Sequence, residues 1–260
     1  MKTRFILLIC FSMAITAMGQ YYNVAEDQVE VGIVEKLDSI LPLNLEFQNE
    51  DDQTTSLGSI IDKPTILCFV YFDCPGLCPP LLAGVSELID KLDMQLGVDY
   101  QVVTISFNPK DSPVKAKEKK LNYVTGIPEN DRKHWIWLTG DQNNIATITE
   151  SVGYRYKPQG VDFAHPSAII ALSPEGKITR YLYGLTYLPF DAKMALIEAQ
   201  KGIARPTINK ILDICFAYDP NNRTYSLQIT RVAGAFLIIV ALTILIFLLV
   251  KGRRKTENKA

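Results

Sequence analysis

Cys74 and Cys78, in Asp73-Cys74-Pro75-Gly76-Leu77-Cys78-Pro79-Pro80, are the side chains of this 260-residue sequence best placed to do chemistry. They follow Pro64 to Phe72, an apolar, β-rich run of the kind that forms a strand buried on both faces. Behind them Leu81, Leu82, Val85, Leu88, Ile89 and Leu92 recur at helical spacing, and proline is favoured in a first helical turn. The pair therefore stands at a helix N-terminus, where partial positive charge favours thiolate and lowers the thiol pKa. From such a turn both sulfurs can converge on one point. Two soft thiolates there suit either nucleophilic thiol chemistry or a metal, Cu(I) or Zn. Structural zinc wants four protein ligands, and the sequence offers no second nearby Cys/His pair. Chance burial of two inert thiols is the bland alternative, disfavoured by their place at a strand-to-helix junction.

The sequence has two histidines. His134, in Arg132-Lys133-His134-Trp135, sits in a polar turn and is expected on the surface. His165, in Asp162-Phe163-Ala164-His165-Pro166-Ser167, stands just before a strand. A loop histidine alone is more often structural than a ligand, yet an imidazole beside the cysteine loop could complete a Cys-Cys-His site. Cys68 falls mid-strand between Leu67 and Phe69 and is expected to be an inert core thiol. Cys215 is expected to be structural or unpaired, with an auxiliary redox or copper role as the minority alternative. Asp73 could tune the thiolates, though an exposed turn carboxylate is the plainer expectation.

The elements that must position these residues are those of an α/β domain. Leu43 to Phe47 alternates as a short strand, Glu50-Asp51-Asp52 makes a turn, and Ser56 to Ile60 suits a short helix. After the cysteine helix come a buried strand at Tyr100 to Phe107 and a charged helix from about Ser112 to Tyr123. A strand at Trp135 to Leu138 and a helix at Gln142 to Val152 follow. Ser167 to Leu172 and Ile178 to Tyr183 flank the turn Ser173-Pro174-Glu175-Gly176, an antiparallel hairpin. A last amphipathic helix runs from about Pro189 to Ile203. The order βαβαβαββα, with parallel crossovers and then a hairpin and helix, predicts a thioredoxin-like sheet. In such a sheet the loop carrying His165 passes beside the cysteine loop.

The two ends of the chain speak of location. Lys2 and Arg4 precede an almost unbroken apolar stretch, Phe5 to Ile15, with small residues at Ala17 and Gly19. That pattern predicts a signal peptide over 1–19, which would discard Cys10. Val232 to Val250 carries no charge and is long enough to cross a bilayer. Lys251, Arg253, Arg254 and Lys255 follow it, which places the C-terminus in the cytoplasm. The expected layout is a lead-in over 20–40, a domain over 41–203, a stalk over 204–231, a transmembrane helix over 232–250 and a basic tail over 251–260. The protein is thus expected to be single-pass in a bacterial inner (plasma) membrane, its domain facing the periplasm or an equivalent exterior. Twenty-seven Lys and Arg against 28 Asp and Glu, a net charge of −1, give no footprint for nucleic acid.

The stretch Cys74-Pro75-Gly76-Leu77-Cys78-Pro79 after a hydrophobic strand, with His165 nine residues before Pro174-Glu175-Gly176, resembles the Sco/SenC family. The resemblance covers roughly residues 40–203. It implies a copper-binding, thioredoxin-fold protein that assists assembly of the copper centre of cytochrome c oxidase. It assigns copper binding, as Cu(I), Cu(II) or both, to Cys74, Cys78 and His165. The implied partners are the copper-receiving oxidase subunit and a thiol–disulfide reductase as electron donor. Two departures stand out. The common family pattern has Asp immediately before the histidine, where this chain has Ala164 with Asp162 nearby, and the membrane anchor here is C-terminal. The alternative function is an extracytoplasmic thiol–disulfide reductase using Cys74 and Cys78 without His165. A thiol peroxidase is disfavoured, because that chemistry favours threonine where this chain has Tyr71.

Overall fold

The computed structural model describes residues 30–205, together with 216–219, 224–227, 241, 243 and 244. In chain order the first unit runs β1 (Gly32–Ile33), β2 (Glu46–Asn49), β3 (Thr54–Ser56), α1 (Leu57–Ile60), β4 (Thr65–Val70), α2 (Cys78–Lys91), β5 (Gln101–Ser106) and α3 (Pro113–Leu121). It continues through β6 (Trp135–Thr139), α4 (Gln142–Ser151), β7 (Tyr154–Arg155), β8 (Lys157–Gln159), β9 (Asp162–Ala164), β10 (Ala168–Leu172), β11 (Ile178–Tyr183) and α5 (Pro189–Gln200).

Seven strands form one sheet in the order β11-β10-β4-β5-β6-β2-β3. β4, β5 and β6 are parallel neighbours joined through helices, and β10 returns antiparallel along β4 with Ile169 opposite Cys68. Every residue of β4, β5 and β10 is buried. That is why their sequences are mostly apolar without a strict alternation, as expected of strands covered on both faces, and the polar Thr65, Gln101, Thr104 and Ser106 among them are buried too. α5 packs on β10 and β11, and α3 on β6. A parallel three-strand centre, an antiparallel hairpin and a final helix make this a thioredoxin-like α/β fold.

Local chemistry fixes the connections. Ser56 caps α1 by accepting from the Ser59 N–H, Ser112 caps α3 through the Lys115 N–H, and Asp141 caps α4 through Asn143 and Asn144. The Glu50-Asp51-Asp52 turn joins β2 to β3, and its carboxylates are held by α3: Lys117 pairs with Asp51 and Lys120 with Glu50. Glu50 also accepts the Trp137 backbone N–H at 2.9 Å, which ties the turn to β6.

Several boundaries shift by a few residues, as helix and strand ends do. The strand expected at 43–47 lies at Glu46–Asn49, and the last helix stops at Gln200. Five short strands were not foreseen: β1, β3, β7, β8 and β9. The β8–β9 hairpin leads directly into His165.

The second unit begins at Pro206. Its described residues include an antiparallel hairpin, Phe216–Asp219 paired with Thr224–Leu227, inside the stretch expected to be a stalk. The expected signal peptide, Cys215, nearly all of the expected span and the basic tail lie outside the described residues. Among the described residues no helix is long and apolar enough to cross a membrane.

Candidate metal centre

β4 ends at Val70 in the middle of the sheet and releases the chain as Tyr71-Phe72-Asp73-Cys74 above the sheet's edge. Three hydrogen bonds hold this exit. The Asp111 carboxylate, its side chain fully buried, accepts the Phe72 N–H at 2.8 Å and the Ser106 hydroxyl at 2.7 Å. The Cys74 N–H donates to the Tyr71 carbonyl at 3.3 Å. α2 then starts at Cys78 with proline in its first turn and no side-chain cap. The Cys74 sulfur takes the cap's place, accepting the Cys78 N–H at 3.4 Å.

His165 arrives from the opposite side, on the segment between β9 and β10. Because β10 lies against β4, this segment is carried to the mouth of the cysteine loop. Nε2 of His165 lies 3.8 Å from Cys74 Sγ and 3.6 Å from Cys78 Sγ. The three ligating atoms all fall within 4.8 Å of one another, and among the described residues they form the single such cluster. Cys74 is 8% exposed, Cys78 2% and His165 9%, so the cluster is withdrawn from bulk water.

The spacing suits a small soft ion. An ion about 2.3 Å from sulfur and about 2.0 Å from nitrogen in a trigonal plane needs S···N of about 3.7 Å. Both S···N distances lie close to that value. Two thiolates and an imidazole are also the donor set that favours copper in its soft Cu(I) form. The site has aromatic walls. Tyr71 and Phe107 pack on the imidazole with ring centroids 5.9 and 5.4 Å away, and Phe163 packs on both at 5.1 and 5.5 Å.

The two thiols are made unequal. A hydrogen bond from the Cys78 thiol is the largest influence holding Cys74 as thiolate, with its pKa down at about 4. Burial opposes this, while the Cys78 and Gly76 N–H groups add to it. The same shared proton, together with burial, pushes Cys78 far above the ordinary thiol range. One thiolate and one thiol therefore face His165 in the reduced, metal-free protein.

The imidazole is steadied at its other nitrogen. Nδ1 lies 2.9 Å from the Pro166 carbonyl and 3.2 Å from the Tyr154 hydroxyl. No carboxylate is involved. Ala164, next to the histidine, offers none, and Asp162 accepts the Tyr71 hydroxyl at 3.2 Å. Tyr154 lacked any distinguishing sequence signal, since its partner is eleven residues away across the unforeseen hairpin.

The other candidates are placed apart from this chemistry. Cys68 is fully buried with its pKa pushed up to about 12 by burial, and its sulfur contacts the Thr104 hydroxyl at 3.1 Å. It is an inert core thiol. Asp73 is exposed and pairs with Lys115 at 2.5 Å. His134 corrects a simple surface expectation: it is half-buried at the end of a 3-10 turn, its ring packed against Gly97 so closely that a Cβ there would sit 2.2 Å from Cδ2.

Comparison with known proteins agrees with this geometry. The SCO1/SenC family model matches residues 41–195. The SCO1 protein homolog of Bacillus subtilis (strain 168) is 29% identical over 160 residues, covering 58% of this chain and 80% of that one. A protein of Stutzerimonas stutzeri named a putative copper-binding protein is 23% identical, covering 69% and 86%. The crystal structure of a putative electron transfer protein from Aquifex aeolicus VF5 superposes with a TM-score of 0.59 at 27% identity, covering 64% of this chain and 95% of that one. The chain belongs to the SCO1/SenC family.

Proposed function

We propose that this protein is a copper metallochaperone that assists assembly of the copper centre of a membrane cytochrome c oxidase. It holds copper between Cys74, Cys78 and His165 outside the cytoplasm and passes it to the copper-receiving oxidase subunit. The observation that carries this reading is the convergence of two sulfurs and Nε2, at S···N distances of 3.8 and 3.6 Å, inside a water-poor aromatic pocket. Three ligands leave the ion open to a fourth, so a donor from the client can enter before any ligand of the chaperone leaves. Transfer by ligand exchange follows from that openness. The predicted signal peptide and the apolar stretch 232–250 with its basic flank support an exterior domain tethered by its C-terminal end.

A second reading, thiol–disulfide reduction, is favoured by one specific observation: a Cys74 thiolate beside a Cys78 thiol. Cys74 would attack a client disulfide and release one client thiolate. Cys78, losing its proton, would then attack the mixed disulfide, leaving a Cys74–Cys78 disulfide for an external reductase to reopen. The two readings part at His165, which only copper needs. In cells lacking the protein, His165→Ala should fail to restore oxidase copper while the purified variant still reduces a model disulfide. Restored oxidase with lost reduction would give the enzyme reading its place.

A further inference from the structure

We propose that Tyr154 is the positioning residue of the site: together with the Pro166 carbonyl it holds neutral His165 as the Nδ1–H tautomer, leaving Nε2 with its lone pair facing the two sulfurs. This deepens the copper reading and rests on it.

The case is a proton count. A carbonyl oxygen can only accept, so the 2.9 Å contact between Nδ1 and the Pro166 oxygen needs a proton on Nδ1. The Tyr154 hydroxyl has one proton, and it is donated to the same carbonyl at 2.9 Å. Its oxygen therefore meets Nδ1, 3.2 Å away, as an acceptor. Both neighbours of Nδ1 are acceptors, and the reverse tautomer would set a bare nitrogen against two oxygen lone pairs in a buried pocket. A neutral imidazole has one N–H, so Nε2 is left bare.

Tyr154 is well built for this task. It is 3% exposed, and its ring is wedged against Phe69 at 4.9 Å and Phe107 at 5.8 Å, so the phenol is fixed in direction. Its short strand β7 is paired to β1, with Tyr154 opposite Ile33. The nearest carboxylate on this segment, Asp162, is engaged by Tyr71. The outer partners of the imidazole are thus neutral, and the charge on the site is set by the thiolates and the ion alone. Partners that orient a ligating histidine in this way are worth about tenfold to a hundredfold in metal affinity.

Tyr154→Phe keeps the ring and removes only the phenol oxygen. In the full chain the variant should lower Cu(I) affinity roughly tenfold, read by competition with a chromogenic chelator. Placed in a His165→Ala background it should change nothing. An equal fall in both backgrounds would make Tyr154 merely structural, and no fall in the first would overturn the proposal. A second measurement needs no variant. Labelling the two histidines with 15N in the metal-free, reduced full chain at pH 8 should give, for His165, a protonated Nδ1 and a bare Nε2. A bare Nδ1 with a protonated Nε2 would refute the assignment. The two failures are separable: a wild-type chain that binds no Cu(I) refutes the copper reading, whereas a reversed tautomer refutes this one.

Discussion

Replacing Asp111 with alanine should cost more than any surface charge change near the site, because this carboxylate anchors the exit of β4. It receives the Phe72 N–H at 2.8 Å and the Ser106 hydroxyl at 2.7 Å, and neither donor has water to turn to, since Phe72 and Ser106 are buried. A buried donor left without its acceptor costs about 1–3 kcal/mol. The Ser106 hydroxyl can rotate toward another acceptor and the Phe72 N–H cannot, so the pair costs about 2–4 kcal/mol. The ion pair to Lys115, at 3.4 Å and partly exposed, adds less than about 1 kcal/mol. For a domain of this size the loss lowers Tm by roughly 5–15 °C. Urea titration of the metal-free protein measures it, with Asp73→Ala as the control, since that exposed partner of the same lysine should cost under about 1 kcal/mol. Because Phe72 lies two residues before Cys74, Cu(I) affinity should fall with stability in the first variant and not in the second. Equal midpoints for the two variants would refute the anchoring role.

Three further outcomes follow from the same geometry. Cys74 is held as thiolate to about pH 4 while an ordinary thiol stays protonated to about 8.5, so iodoacetamide at pH 6 should label Cys74 in preference to Cys78; mass mapping that finds Cys78 first would contradict the assignment. Gly84→Ala would put a Cβ 1.9 Å from the Leu185 carbonyl oxygen, a backbone clash that should cost about 1–3 kcal/mol by thermal unfolding, and a neutral result would show that the 184–188 loop moves freely. A phosphatase reporter should be active when fused after Gln200 and silent after Ala260, and the reverse pattern would overturn the exterior orientation.

The strands that matter most were legible because burial on both faces favours apolar, β-branched residues at successive positions, as in Ile66–Val70 and Val102–Val103. The cysteine helix was legible through its prolines and its leucine period. What escaped was short or non-local. β7, β8 and β9 span two or three residues each, too few for any period to emerge, and Lys157–Gln159 is wholly exposed. Their pairing is decided by the sheet around them. The approach of His165 to the cysteines was expected from the resemblance and from the general course of such a sheet. Its outer partners were not, because a tyrosine hydroxyl and a proline carbonyl leave no mark in sequence until the hairpin folds them together. Asp111 escaped for a related reason: a buried carboxylate that bonds one backbone N–H and a hydroxyl looks, in sequence, like any turn aspartate.

The most direct test of the central claim is the copper K-edge absorption spectrum of the reduced protein loaded with one equivalent of Cu(I). The account predicts two sulfur scatterers at about 2.2–2.3 Å and one nitrogen at about 2.0 Å. His165→Ala should remove the nitrogen and leave both sulfurs. A wild-type spectrum with sulfur alone would remove His165 from the ligand set, and one unchanged by Cys74→Ser and Cys78→Ser would show that copper is held elsewhere.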